Sequence, residues 1–138
     1  MKEEKQVLEL EFDSYQVEES RPETPFILGV YGTLKKNHGA HGFITRNNGI
    51  ELGIGKFKNL QMYDLGGFPC VSEGNNVVEM ELYELPAQSI TRFDSYEGVP
   101  SLYNRVKAGE ISGKPVYFYM FARKVDEKYA PKVNKWRE

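Results

Sequence analysis

One helical segment of the sequence aligns an acidic residue with apolar residues, in a spacing suited to acid–base chemistry. Ile90, Phe93 and Glu97 follow at i, i+3 and i+7, so all three lie on one helical face. Because the apolar members face the core, we expect the Glu97 carboxylate to point inward. Burial raises the pKa of such a group toward neutrality and suits it to accept and return a proton. The commoner alternative is a structural ion pair, here with Arg92 or Arg105, and the pattern leaves both open.

A second feature has the composition of an anion-binding turn. The segment "ILGVYGTLKKN" (27–37) begins with strand-forming residues and then changes abruptly to Gly32-Thr33-Leu34, followed by two lysines. A glycine at such a point permits a positive φ and a close approach of the backbone to another group. Successive backbone N–H groups in a turn can bind an anion, so the loop is predicted to hold a phosphate, a carboxylate or nothing. Lys35 and Lys36 are predicted to form a solvated rim.

Other common catalytic motifs are excluded. The segment "GIGKF" has Phe57 where a phosphate-binding Walker loop needs Ser or Thr, and there is no G-x-S-x-G element. Cys70 precedes no recognisable histidine partner. His38 and His41 have helical spacing but lack a third ligand, so we predict surface or structural roles for them and no metal site.

The elements that must position these residues are mostly strands. The chain of 138 residues has the length of one domain, and its nine Tyr and eight Phe favour a sheet. We predict an α+β fold: one curved, mostly antiparallel or mixed sheet, open or closed into a barrel, crossed by one main helix that has Pro86 in its first turn and Gly98 just past its end. A short helical turn is expected after Asn37 and a hairpin turn at 111–114. The predicted strands are 6–17, 26–31, 50–58, 60–64, 77–84, 104–110 and 115–122.

The first 25 residues differ from the rest in charge. They contain eight acidic and three basic side chains, a balance of −5 in a chain whose net charge is −2. The alternation from Leu8 to Asp13 nonetheless predicts a half-buried strand. We therefore divide the chain into an acidic extension, 1–25, with an extra strand and a linker, and a domain, 26–138. The positive charge of that domain is too small and too scattered to predict nucleic-acid binding.

The compartment is predicted from what the sequence lacks. Cys70 is the single cysteine, so no disulfide framework is possible within the chain. No apolar run is long enough to cross a bilayer, and the charged start "MKEEKQ" is unlike a signal peptide. We expect a cytoplasmic protein with no membrane partner.

Two segments together resemble a known family. "VYGTLKKN" (30–37) and "FDSYEGVPSLYNR" (93–105) are similar, in order and separation, to the motifs of the γ-glutamylcyclotransferase-like family, and the nearest branch is γ-glutamylamine cyclotransferase. The resemblance covers about residues 26–122. It implies a curved sheet or mixed barrel with one main helix and short helices.

The resemblance also implies an activity. Glu97 corresponds to the general acid/base of a reaction in which the α-amine of a γ-glutamyl group attacks its own γ-carbonyl. The products are 5-oxoproline and a free amine. The partner is a small γ-glutamyl molecule, and no metal or organic cofactor is needed, because nucleophile and carbonyl belong to one molecule.

Further residues receive roles from the same resemblance. The substrate loop would consist of Tyr31, Gly32, Thr33 and Leu34, holding a carboxylate of the γ-glutamyl group. Tyr103 and Tyr119 are either pocket walls or core residues. Two other functions remain open: a binding module that keeps the pocket without catalysis, and an enzyme that hydrolyses or cyclises a γ-glutamyl group on a larger carrier.

Overall fold

The computed structural model describes residues 8–136. Within that range it contains eight strands, two α-helices and a 3₁₀ turn over Ala87–Ser89. In chain order the strands and helices are β1 Leu8–Phe12, β2 Gln16–Val17, β3 Phe26–Val30, α1 Gly42–Arg46, β4 Ile50–Asp64, β5 Pro69–Leu85, α2 Ile90–Glu97, β6 Tyr103–Ile111, β7 Lys114–Phe121 and β8 Lys132–Val133.

The strands form one curled, mixed sheet. Its order is β1-β4-β5-β3-β7-β6-β2, and β8 pairs with β4 outside this path. β1 runs parallel to β4 and β3 parallel to β7, whereas the other pairs are antiparallel. The predicted α+β fold with one curved sheet and one main helix is confirmed. No helix in the described range is long and apolar enough to span a membrane.

Alternating side chains divide the core into two clusters on opposite faces of the sheet. On β3, Phe26 and Leu28 belong to one cluster, whereas Ile27 between them belongs to the other. α2 packs on the first cluster through Ile90 and Phe93, which are 1% and 0% exposed. The predicted apolar helix face is therefore confirmed, and it fixes α2 against the sheet.

Several element boundaries follow the sequence signals. Gly98 ends α2 in the left-handed conformation, with φ of 72°. Ser112 and Gly113, both with positive φ, form the predicted hairpin turn between β6 and β7. The helix expected after Asn37 occurs as α1.

Two long strands correct the prediction for the middle of the chain. The predicted strands 50–58 and 60–64 are one strand, β4, whose pairing is irregular at Asn59 (φ 63°). β5 begins at Pro69 rather than at 77. A Cβ at Gly74 would lie 2.6 Å from the Gln61 Cβ, so the glycine permits a close strand contact inside a turn-like sequence.

The acidic extension, called the acidic arm from here on, also differs from the prediction of one strand over 6–17. Residues 6 and 7 of that predicted strand lie outside the described range. The acidic arm contains two short strands at opposite ends of the sheet order, because the chain turns between Phe12 and Gln16. The Tyr15 ring packs edge-on against Phe118, with centroids 5.1 Å apart. Its hydroxyl is within hydrogen-bonding distance of the Phe12 and Lys58 carbonyl oxygens.

Phe12 fixes this arm to both ends of the sheet. Its ring stacks on Phe57 of β4 with centroids 4.7 Å apart, and it also lies against Gly109 of β6. We expect Phe12→Ala to lower the free energy of unfolding by about 3 kcal/mol, since it leaves a cavity in the core. Urea denaturation measures this change. Glu11→Ala, on the exposed side of the same strand, is the matched control, and equal stability of the two variants would contradict the packing role.

Candidate active site

The loop after β3 is a tight turn beside β5. The Lys35 amide donates to the Gly32 carbonyl at 3.0 Å, and the Ala40 amide donates to the Thr33 carbonyl at 3.0 Å. A Cβ at Gly32 would lie 3.0 Å from Pro69 Cγ, while the Gly32 backbone is outside the left-handed region. The glycine therefore serves the close approach to Pro69 and not a positive φ.

The turn leaves backbone donors available. Among residues 8–136, the amides of Gly32, Thr33 and Leu34 donate to no protein acceptor. Gly32, Thr33 and Leu34 also line a cavity of about 200 Å³. Unpaired amides beside a cavity are suited to an anion or to a carbonyl oxygen that gains negative charge.

Glu97 lines the same cavity from the end of α2. Burial raises the pKa of its carboxyl group to about 7. Within the described part of the chain, Glu97 makes no ion pair and accepts no hydrogen bond. The alternative of a pair with Arg92 or Arg105 is wrong, because Arg92 donates to Asn47 Oδ1 at 3.1 Å and Arg105 pairs with another carboxylate.

That other carboxylate is Asp94, one helical turn before Glu97. Arg105, only 2% exposed, donates through Nε to Asp94 Oδ1 at 3.1 Å and through Nη2 to Oδ2 at 3.3 Å. The Tyr119 hydroxyl donates to Oδ1 at 2.8 Å. Arg105 also donates to the Ser20 and Glu19 carbonyl oxygens, so the acidic arm completes its coordination. The pair fixes α2, and with it Glu97, to β6.

Buried tyrosines close the inner end of the cavity. Tyr31, Tyr103 and Tyr119 are at most 7% exposed. The Tyr31 hydroxyl donates to the Tyr119 carbonyl at 2.6 Å and the Tyr103 hydroxyl to the Pro69 carbonyl at 2.6 Å. Burial raises the pKa of each well above its usual value, so all three remain neutral donors. The structure thus brings together the seven predicted residues, Tyr31, Gly32, Thr33, Leu34, Glu97, Tyr103 and Tyr119.

Sequence reasoning missed other residues of the cavity wall. Phe68, Pro69, Tyr96 and Leu102 also line it. Tyr96 was an available signal, since it lies inside the second family motif and next to Glu97, whereas Phe68 and Pro69 lie far along the chain from both motifs. Their convergence depends on the pairing of β4 with β5, which no local pattern predicts.

The lysines and histidines near the loop have structural contacts. Lys35 is not a solvated residue: it is 8% exposed and its Nζ donates to the Trp136 carbonyl at 2.7 Å. His41 Nδ1 lies 2.8 Å from the Leu34 carbonyl oxygen, consistent with the predicted structural role. Within the described range, no three His, Cys, Asp or Glu side chains are grouped to hold a metal ion.

Most of the chain matches the model of a known family. The family model described as "Gamma-glutamyl cyclotransferase, AIG2-like" matches residues 28–138, so the chain belongs to this family. The resemblance predicted from the two motifs is therefore confirmed.

Two relatives agree with this membership. A protein of Vibrio cholerae named "Putative gamma-glutamylcyclotransferase" is 32% identical over 79 residues, which cover 55% of this chain and 65% of the relative, just under two thirds of its length. A protein of the same name from Methanocaldococcus jannaschii is 33% identical over 98 residues, covering 65% of this chain and 81% of the relative.

Solved structures share the fold. An uncharacterised protein from Pyrococcus horikoshii matches with a TM-score of 0.65 and 19% identity, over 79% of this chain and 86% of its own. An AIG2-like protein from Mus musculus matches with a TM-score of 0.60 and 21% identity, over 83% and 90% of the two chains. At these identities the likeness shows the curled sheet alone.

Proposed function

We propose that this protein is a γ-glutamyl cyclotransferase that acts on γ-glutamyl amines or peptides and releases 5-oxoproline and a free amine. The observation that carries the proposal is the isolated Glu97 carboxylate, with a pKa near 7, in a cavity that also contains unpaired loop amides. A purely structural carboxylate would be paired, whereas a proton-transfer group needs a pKa near the working pH. In this proposal the catalytic domain comprises residues 26–138, and the acidic arm, residues 1–25, is an extension that precedes it.

Glu97 moves one proton during the reaction. Its carboxylate accepts a proton from the substrate's α-ammonium group, and the freed amine forms a bond to the γ-carbonyl carbon. Glu97 then returns the proton to the leaving nitrogen, the bond from carbon to that nitrogen breaks, and the lactam remains. The second proton lost by the attacking nitrogen goes to the released amine, so no water, metal or electron carrier is required.

The loop holds the parts of the substrate that carry negative charge. Among the described residues that line the cavity, Glu97 is the only ionisable acid or base besides the tyrosines, so none of them supplies a cation for a carboxylate. The amides of Gly32, Thr33 and Leu34 are the available donors. We assign them to the α-carboxylate and to the oxygen of the γ-carbonyl as its charge develops.

The mechanism predicts how substrate changes act. With a γ-glutamyl amide, mass spectrometry should detect 5-oxoproline and the free amine in equal amounts. The α-N-acetylated compound should yield neither, because its nitrogen is no longer a nucleophile. An α-linked glutamyl peptide should also be inert, since its amine cannot close a five-membered ring on the scissile carbonyl.

The controls separate this reaction from its competitors. A hydrolase takes its nucleophile from water, so release of free amine from the N-acetylated compound would replace the cyclotransferase with a hydrolase. Inertness toward every γ-glutamyl compound, with binding retained, would identify a binding module. The Glu97→Gln variant, assayed beside the wild type, excludes turnover by a contaminating enzyme.

A further inference from the structure

The two ends of the cavity differ in exposure. The inner wall consists of the buried tyrosines described above, whereas Phe68 and Tyr96 are 39% and 46% exposed. Phe68 and Tyr96 are therefore the parts of the described cavity wall that are most open to solvent, and we place the opening of the cavity at these two side chains. A γ-glutamyl head held at the loop would extend its leaving amine toward this opening.

Phe68 belongs to neither of the two core clusters of the described residues. It ends the tight turn between β4 and β5, in which the Leu65 amide donates to the Phe68 carbonyl at 3.0 Å. Turns of this kind usually carry Gly, Pro, Asn, Asp or Ser, and the two preceding residues, Gly66 and Gly67, follow that rule. Phe68 shares the cavity wall with a second exposed aromatic side chain, Tyr96, and exposed apolar surface of this kind is found at ligand-binding grooves.

Tyr96 is held in place at the same opening. Its ring stacks on Phe43, with centroids 5.1 Å apart and planes inclined by 24°. Its hydroxyl lies 3.3 Å from Thr33 Oγ1 of the substrate loop. A ring fixed by two contacts can bind an apolar group with little loss of side-chain entropy.

The charges near the opening disfavour an anionic leaving group. Ionised Glu97 would repel a carboxylate of the leaving group, and the part of the cavity wall that the structure describes contains no lysine or arginine. The two lysines of the loop are directed elsewhere: Lys35 Nζ donates to the Trp136 carbonyl at 2.7 Å, and Lys36 Nζ lies 3.7 Å from Glu51. A carboxylate on the leaving amine would lose hydration there without gaining a cation.

We propose that the leaving amine carries a neutral, apolar or aromatic substituent, which binds between Phe68 and Tyr96, rather than the carboxylate of an amino acid. This inference rests on the proposed function and narrows its substrate class. Two matched substrate pairs test it. γ-Glutamyl-phenylethylamide and γ-glutamyl-phenylalanine differ only in a carboxylate, and γ-glutamyl-phenylethylamide and γ-glutamyl-methylamide differ only in the benzyl group.

In each pair we expect kcat/KM to be about tenfold higher for the phenylethylamide, mainly through a lower KM. Phe68→Ala should lower kcat/KM for the phenylethylamide about tenfold and change that for the methylamide less than twofold. Tyr129→Ala removes an aromatic ring that is 77% exposed and lies outside the cavity wall, and it should change neither value.

The outcomes distinguish the two proposals. Equal kcat/KM values within both pairs, or a preference for the phenylalanine compound, would overturn the assigned substrate class while the cyclotransferase stands. A Phe68→Ala variant that loses activity equally on the phenylethylamide and the methylamide would overturn the role of the opening. Turnover of other γ-glutamyl amines or peptides but of none of these three compounds would overturn the assigned substrate class alone, and inertness toward every γ-glutamyl compound would overturn both proposals.

Discussion

Replacing Glu97 with glutamine is expected to abolish turnover and, at the same time, to stabilise the fold above neutral pH. The amide cannot accept the proton of the α-ammonium group, so kcat should fall by a factor on the order of 10² to 10⁴. In the wild type, kcat/KM should rise with pH through a limb near the Glu97 pKa of about 7, because the carboxylate must be ionised to act as a base. Steady-state assays from pH 5 to pH 9 measure both effects.

The stability effect follows from the direction of the pKa shift. Burial raises the pKa of Glu97 from 4.5 to about 7, so the folded state holds its proton more tightly than the unfolded chain. The resulting stabilisation is complete below pH 4.5 and is lost as the pH rises through about 7. At about 1.4 kcal/mol per pH unit, ionised Glu97 destabilises the fold by about 3 kcal/mol at higher pH.

Glu97→Gln should therefore unfold at a higher urea concentration than the wild type at pH 8, and at a similar concentration at pH 4. Glu110→Gln, which changes an exposed carboxylate on β6, is the control for activity and for stability. Retention of more than half of the wild-type rate would remove Glu97 from the mechanism. A loss of stability at pH 8 would indicate that Glu97 has a favourable partner.

Asp94→Asn should destabilise the protein by about 3 kcal/mol. The Arg105 side chain that would lose its ionised partner is 2% exposed, and a buried charge without a counter-ion is among the most costly defects in a core. Arg105→Met should be less harmful, since the Asp94 side chain is 25% exposed and water can hydrate its charge. A larger loss of unfolding free energy in Asp94→Asn than in Arg105→Met would show that the arginine is the more deeply buried member of the ion pair.

Urea denaturation at neutral pH measures the unfolding free energies of the Asp94→Asn and Arg105→Met variants. Glu127→Gln serves as the comparison, because its pair with Lys132 joins side chains that are 60% and 58% exposed, and it should change little. A neutral effect of Asp94→Asn would contradict the structural role of the pair. Asp94 is consequently unsuitable as an activity control for Glu97, although it is a carboxylate on the same helix.

Local patterns predicted the parts of the fold that local interactions determine. The spacing of Ile90, Phe93 and Glu97 identified the buried face of α2, and Gly98 identified its end. The turn at Ser112 and Gly113 was equally local. The hydrogen bond from Lys35 to the Trp136 carbonyl was not predicted, because it joins residues 101 positions apart. It also buries a lysine, a residue that is usually exposed.

The distinction between local patterns and contacts that only the folded chain creates also applies to the site. The loop and Glu97 were identified because each lies in a short recognisable segment. Phe68 and Tyr96 were missed because only the folded sheet places the β4–β5 turn beside α2. The division of the arm at Tyr15 was missed for a similar reason, since Tyr15 leaves the strand pattern to pack on Phe118.

The acidic arm also has a consequence for local unfolding of the protein. β1 pairs with β4 and β2 with β6, so one short segment shields the edges at both ends of the sheet order. Backbone amides on those two distant edges therefore belong to one cooperative unit for hydrogen exchange, released by a single local unfolding event. Detachment of Phe12 from Phe57 would deprotect both edges together and free the Ser20 carbonyl from Arg105. In this fold, the opening that exposes the backbone to solvent is the same opening that loosens the support of the candidate catalytic helix.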